Sequence, residues 1–313
     1  MDKVSKKYCV ITEQYPAINK DLLDWLSREW NIISIEDISA DLYDKVVAIV
    51  VRSLHYTTHF IAQFSQLAYI LRVWTWLDNL PQDYCKLHNI SLVCSHWKNA
   101  SSVAELVTRA VLWLQRCTLQ SSFFIKNQQS STLDRFQFMG KTIRETRFWL
   151  CWFWAVGREI FSKLQALGMQ QIKVYDPYVN SNTKLHYKSI EFVDEFSFIA
   201  TDVDVVIAVV PSTPYTKNMF GENFFVSLQS SISFLNVWRW DVVDENALYN
   251  YLSHNIAARA FFDVWKDEPL QTDAIAQLLS LDNFFMTPHL WAMSYESNQG
   301  MHDFRGLIME ENS

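Results

Sequence analysis

Short runs of β-branched and aromatic residues recur along this chain with helix-length segments between them, and that alternation restricts the fold more than any other feature of the sequence. Strands that alternate with helices imply a parallel, doubly wound α/β sheet. VVAIVV at 46–51 precedes an apolar-periodic stretch from His59 to Tyr69, and Ile90 to Cys94 precedes a helical pattern from Ser101 to Arg116. From Lys141 the pattern predicts a strand at 148–151, a helix at 158–167 closed by Gly168, and a strand at 172–175. Further strands are expected at 203–210, 233–236 and 258–262, with a helix at 245–252 and a loop at 126–132.

A chain of 313 residues exceeds the size at which one core usually stops growing, so two domains are expected. Half of the residues are hydrophobic and 19% are charged, as in an ordinary folded protein. A net charge of −7 excludes a protein built mainly to neutralise nucleic-acid phosphates. The first residues carry charges with no apolar run behind them, which points to a cytoplasmic protein. The longest apolar run, Phe148 to Gly157, is about half of the roughly 20 residues that a membrane span requires. Cys9, Cys85, Cys94, Cys117 and Cys151 form no CxxC pair, so they read as reduced thiols and no metal site is expected.

Nucleotide binding on such a sheet requires a strand, a tight turn, a helix N-terminus facing the pyrophosphate, and an acidic residue about 20 positions on for the ribose. FWLCWFWAVGREI supplies the frame, with Gly157 at the helix start and Asp176 in VYDPY 19 residues later. Trp152 and Trp154 stand at the first two glycine positions of a GxGxxG turn. Taken alone, this is weaker evidence than a plain core strand with an exposed aspartate at its end. Three further segments carry candidate chemistry after predicted strands: Arg239 in FLNVWRWDVVDENAL, Glu268 in FFDVWKDEPL and His289 in FFMTPHLWAMSYES. A cation, a carboxylate and an imidazole are what proton transfer on a carboxylate substrate requires. Any one of them in isolation is more often a surface charge.

Together the three segments resemble the NTARGGxVDExAL, DVFxxEP and TPHxGG motifs of the D-2-hydroxyacid dehydrogenases, and VRSLHYTT, VWTWLDNLP and HWKNASSVAELV extend the resemblance over nearly the whole chain. It is closest to the D-3-phosphoglycerate dehydrogenases, which would place the chain in serine biosynthesis. The resemblance implies a Rossmann-type NAD-binding domain over 96–289 and a flavodoxin-like substrate domain over 1–95, completed by 290–313. It implies that Arg239 binds the substrate carboxyl, that His289 is the acid/base and that Glu268 orients and tunes it. It places Thr75, Trp152, Trp154, Ala155, Val156, Gly157, Val210, Asp263 and Ala292 near NAD, and Asp176 on the adenosine ribose, where an acid favours NAD over NADP. Arg52, Ser53 and Asn99 fall in the loops that would hold the substrate. A homodimer is the family expectation, and with Ser313 only 24 residues beyond His289 no regulatory domain is expected at the C-terminus.

One departure is systematic. Where the family has glycine, this chain has tryptophan at positions 74, 76, 97, 149, 152, 154, 240 and 291, eight of its thirteen tryptophans. Glycine makes up about 2% of the chain against roughly 7% in average proteins, while the six glycines and thirteen tryptophans together come near that ordinary share. Random decay would scatter many residue types over these positions. Two readings account for the pattern: a gene that uses UGA for glycine, or a pseudoenzyme whose aromatic side chains fill the nucleotide cleft and whose fold survives as a binding or regulatory module. Trp25, Trp30, Trp113 and Trp265 read as ordinary core residues, and Trp238 is left open.

Overall fold

Two sheets, each with every strand parallel, organise the chain. The computed structural model describes residues 7–13, 20–52, 54–73, 77, 79–95, 98–127, 134–196, 202–266 and 272–297. It divides into two compact units, Met1–Asn99 with Met293–Ser313, and Ala100–Ala292.

The first unit contains strands β1 (Tyr8–Ile11), β2 (Asn31–Ser34), β3 (Val46–Val51), β4 (Tyr69–Arg72) and β5 (Ser91–Cys94), in the order β2-β1-β3-β4-β5. This 2-1-3-4-5 order is the flavodoxin-like winding. All six residues of β3 are buried, as expected of a parallel strand covered on both faces. Helices α1 (Lys20–Glu29), α2 (Thr58–Ile61) and α3 (Gln82–Leu87) connect the strands. The helix expected from His59 to Tyr69 is replaced by α2, a turn and β4. Ile61, Phe64, Leu67 and Ile70 all enter one core, but they do so from three successive conformations rather than from one helical face.

The second unit contains α4 (Ala100–Gln115), α5 (Thr118–Asn127), β6 (Arg147–Cys151), α6 (Ala155–Ala166), β7 (Gln171–Tyr175), α7 (Ser181–His186), β8 (Glu191–Val193), β9 (Val205–Ala208), α8 (Glu222–Ser227), β10 (Ser233–Asn236), α9 (Glu245–His254), β11 (Arg259–Phe262), α10 (Ala276–Leu279) and β12 (Phe284–Met286). Its strands run in the order β12-β11-β10-β9-β6-β7-β8. The chain starts in the interior at β6, winds outward through β7 and β8, then reverses through β9 to β12. That reversal between β6 and β9 is the switch point at which such sheets bind ligands.

Two departures from the sequence expectations occur here. Lys126 and Asn127 finish α5 instead of opening a loop; residues 128–132 lie outside the described residues. A short 3-10 turn, Ile143–Glu145, precedes β6, and the strand opens one residue before the expected 148, on the charged Arg147, whose guanidinium pairs with Asp202 and Asp204. Gly168 has φ of 91° and terminates α6, with its own N–H donating to the Gln165 carbonyl and that of Met169 to the Leu164 carbonyl. These two bonds are a Schellman motif, which only a residue free of a Cβ closes without strain. Helix α4 packs against α6 and β10, and its Gln115 amide donates to the buried Ser233 hydroxyl at 3.0 Å.

Candidate active site

The register of the second sheet builds the site. Asn236 pairs with Phe262 and Ala208, Phe262 with Met286, Ala208 with Cys151, and Cys151 with Tyr175. Six parallel strands therefore end on one row. The next residues along the chain are Trp152, Asp176, Val209, Val237, Asp263 and Thr287, so most of the chemistry-bearing positions lie one to three residues past that row.

At the switch point the Trp152 N–H donates to the Tyr175 carbonyl at 2.7 Å, and the Phe153 N–H donates to Asp176 Oδ2 at 2.8 Å. Asp176 Oδ1 accepts from the Tyr178 N–H at 2.8 Å. A carboxylate has about four acceptor positions, so this one keeps capacity for a ribose while fixing the turn. Helix α6 begins at Ala155, with Val156 and Gly157 buried in its first turn. A Cβ on Gly157 would stand 2.4 Å from the Trp152 carbonyl oxygen, so the helix approaches the strand end as closely as it does only because that side chain is a hydrogen.

The strand end, the N-terminus of α6, Gly157 and Asp176 fit a dinucleotide. The side chains at 152 and 154 do not. Trp152 is held at φ 78°, a region that costs a residue with a side chain on the order of 1–3 kcal/mol. The Trp154 indole donates to the Val209 carbonyl at 3.3 Å and so lies from the helix N-terminus across the end of β9, over the ground where pyrophosphate meets the backbone. Val210, next to it, is buried.

On the other side of the row, Asn236 is fully buried; its amide donates to the Arg239 carbonyl at 2.7 Å and its Oδ1 accepts from the Trp238 N–H at 3.2 Å. This fixes the turn that carries Arg239, whose guanidinium donates to the Trp238 carbonyl at 2.8 Å and stands 5.8 Å from the Trp238 ring. Asp244, later in the same motif, caps α9 by accepting from the Ala247 N–H at 3.1 Å. The His289 loop is held by Asp263, which is fully buried. Its Oδ1 accepts from the Thr287 hydroxyl and the Leu290 N–H, and its Oδ2 accepts from the Trp291 N–H at 2.7 Å. Burial pushes this carboxyl up, and the three donors and the neighbouring His289 pull against that shift. Asp263 thus organises the loop bearing His289. Ala292 is buried beside it. Trp238 and Trp291 lie 5.5 Å apart between ring centroids, and Trp291 and His289 5.4 Å, so two indoles link Arg239 to His289.

In the first unit Asn99 is buried, and neither atom of its amide has a hydrogen-bond partner among the described residues. The loop after β3 is clamped by Glu13, whose Oε1 accepts from the N–H groups of Arg52 and Leu54 and from the Tyr56 hydroxyl at 2.7 Å. Asn79 reinforces it by donating to the Arg52 and Leu54 carbonyls. Sequence reasoning missed Glu13, Asn79, Asn236 and Thr287; each acts on a turn, and Asn79, Asn236 and Thr287 stood within segments already in view, whereas Glu13 did not. Glu268, Ser53, Thr75 and Trp74, Trp76 and Trp97 lie outside the described residues.

A 3-2-1-4-5-6 strand order with an acid after the second strand and a helix N-terminus at the switch point defines a dinucleotide-binding domain. Residues 111–290 match the family model described as D-isomer specific 2-hydroxyacid dehydrogenase, NAD binding domain. The chain belongs to that family and carries its NAD-binding domain. It is 26% identical over 239 residues to (S)-sulfolactate dehydrogenase of Chromohalobacter salexigens, covering 76% of this chain and 75% of that one. It is 30% identical over 268 residues to D-3-phosphoglycerate dehydrogenase of Archaeoglobus fulgidus, covering 85% of this chain and 49% of the relative. The chain spans about half the length of the phosphoglycerate dehydrogenases it matches. Among solved structures, D-lactate dehydrogenase from Aquifex aeolicus, complexed with NAD and lactic acid, superposes with a TM-score of 0.82 at 18% identity over 97% of this chain and 95% of that one.

Proposed function

We propose that this protein interconverts a D-2-hydroxy acid and its 2-keto acid with NAD as the hydride carrier. The observation that carries the reading is the shared row of strand ends, which sets Asp176, Arg239 and His289 on one edge of one sheet. Family membership supports the same reaction class.

In this reading Arg239 holds the substrate carboxylate with a planar fork that no lysine reproduces. His289 accepts the hydroxyl proton in oxidation and returns it in reduction, with Glu268 as the carboxylate that orients it. Asn236 and Asp263 are positioning residues, since they act on the turns that carry Arg239 and His289. Arg52, Ser53 and Asn99 are the residues of the first unit that we assign to substrate binding. A buried, unpartnered Asn99 amide supports this, because such groups seek a partner. 3-Phosphoglycerate is the substrate we favour, on the motif resemblance and the relatives named above, and a cytoplasmic homodimer is the form in which we expect the enzyme to work.

The protein purified from its native source should form NADH from D-2-hydroxy acids, with kcat/KM compared across 3-phosphoglycerate, glycerate, lactate and sulfolactate. His289→Gln should lower kcat by about 10²–10⁴-fold, the usual contribution of a general acid or base, and leave the folded structure intact. NAD binding without turnover on any member of the panel would overturn the reading and mark the chain as a binding or regulatory module.

A further inference from the structure

Four local misfits stand out in the second unit, and one change relieves all of them. Trp152 is buried yet held in the left-handed backbone region that glycine occupies freely. The Trp154 indole spans the switch point from α6 to the Val209 carbonyl, where a dinucleotide's pyrophosphate needs bare backbone. Trp149 is fully buried in the interior strand β6, and its indole N–H finds no acceptor among the described residues, although a buried indole normally has one. Trp238 and Trp291 fill the line from Arg239 to His289, along which a substrate must touch both.

Other tryptophans show no such conflict. The Trp265 indole donates to the Thr287 carbonyl at 2.9 Å. Trp113 lies 4.4 Å beneath the Arg109 guanidinium, one helical turn away, and Trp25 and Trp30 pack edge to face at 6.2 Å. These four have the partners that an indole uses.

We infer that Trp149, Trp152, Trp154, Trp238, Trp240 and Trp291 are encoded by UGA, that the cell carrying this gene reads UGA as glycine, and that the working protein has glycine at all six positions. Trp25, Trp30, Trp113 and Trp265 are encoded by UGG and are tryptophan in that protein. The packing of Trp240, edge-on to Phe262, gives no sign either way; it is assigned by its place directly after Arg239 in the motif. Trp238 belongs with the glycines by its position between Arg239 and Trp291. A blocked nucleotide cleft would not require the same residue at every misfit, and at Trp152 it would not select a backbone conformation that favours glycine.

The test is the peptide mass of the protein purified from its native source, across 147–158, 233–244 and 287–297, together with the peptides holding Trp113 and Trp265. Each glycine lightens its peptide by the difference between an indolylmethyl group and a hydrogen. Glycine masses at the six positions with tryptophan masses at 113 and 265 are expected. A tryptophan mass at 152 or 154, or a glycine mass at 113 or 265, overturns the inference. Reading the gene gives a second decision: UGA at the six and UGG at the four supports it, and UGG throughout overturns it. Neither result depends on turnover, so glycine masses in an inactive protein would sink only the proposed activity, and tryptophan masses in an active one would sink only the recoding.

Discussion

Single side chains in this protein earn their positions through donors that lie far away in sequence. Asp204 accepts from the Arg147 N–H and guanidinium and from Lys141, whose ammonium stands 2.8 Å away. Burial alone would raise its carboxyl, but these partners prevail and hold it at about 2. The ordinary value is about 3.9, so the charged form is favoured in the folded state and its stabilisation is complete above that value. It is lost as pH falls from about 4 to about 2. Both cations are partly exposed, so solvent screening reduces the contribution to about 1–2 kcal/mol. Asp204→Asn should lower the unfolding free energy by that amount at neutral pH, and denaturant titration should show the difference vanish near pH 2. Neither this role nor that of Asp263 was legible in the sequence. The partners of Asp263 lie 24 to 28 residues further on, and a local reading could place it only near the cofactor. The placement of Arg239 and His289 just past the strands β10 and β12 was legible because each stands in a local motif that follows an apolar run.

Among elements, the pairing of β6 with α6 depends most on one position. Gly157→Ala would drive a Cβ against the Trp152 carbonyl, and because that atom is backbone, the strand end or the helix must shift. Overpacking of this kind typically costs 1–3 kcal/mol, and a thermal melt should show the loss. The strand β10 was legible to the residue at 233–236 because a buried apolar run there is bounded by polar residues. The stretch from His59 was misread because its apolar residues fall at helical spacing while serving a short helix, a turn and β4 in turn. The strands β1 and β2 were not read from the sequence, although β1 sits inside the first sheet.

At the scale of the whole molecule, the two sheets carry separate cores, and among the described residues no helix is long and apolar enough to cross a membrane. A ligand that binds only the folded state raises stability by about 2.7 kcal/mol at a hundredfold excess over its Kd. The chain with tryptophan at 152 and 154 should therefore melt at the same temperature with and without NAD. The Trp152→Gly/Trp154→Gly double variant should melt higher when NAD is added, and differential scanning fluorimetry distinguishes the two. An unchanged melting temperature for the variant would mean that the obstruction of the nucleotide seat lies elsewhere.

All five cysteines are buried and none forms a disulfide: Cys9, Cys85 and Cys94 in the first unit, Cys117 and Cys151 in the second. Desolvation pushes the Cys9 thiol up to about 12 and that of Cys151 well above its usual range, so neither supplies the thiolate that alkylating reagents attack. Labelling must wait for local opening, whose free energy differs from one part of a protein to another. The thiols are thus a built-in clock: the order in which they become modified in a slow alkylation time course would report which unit breathes first.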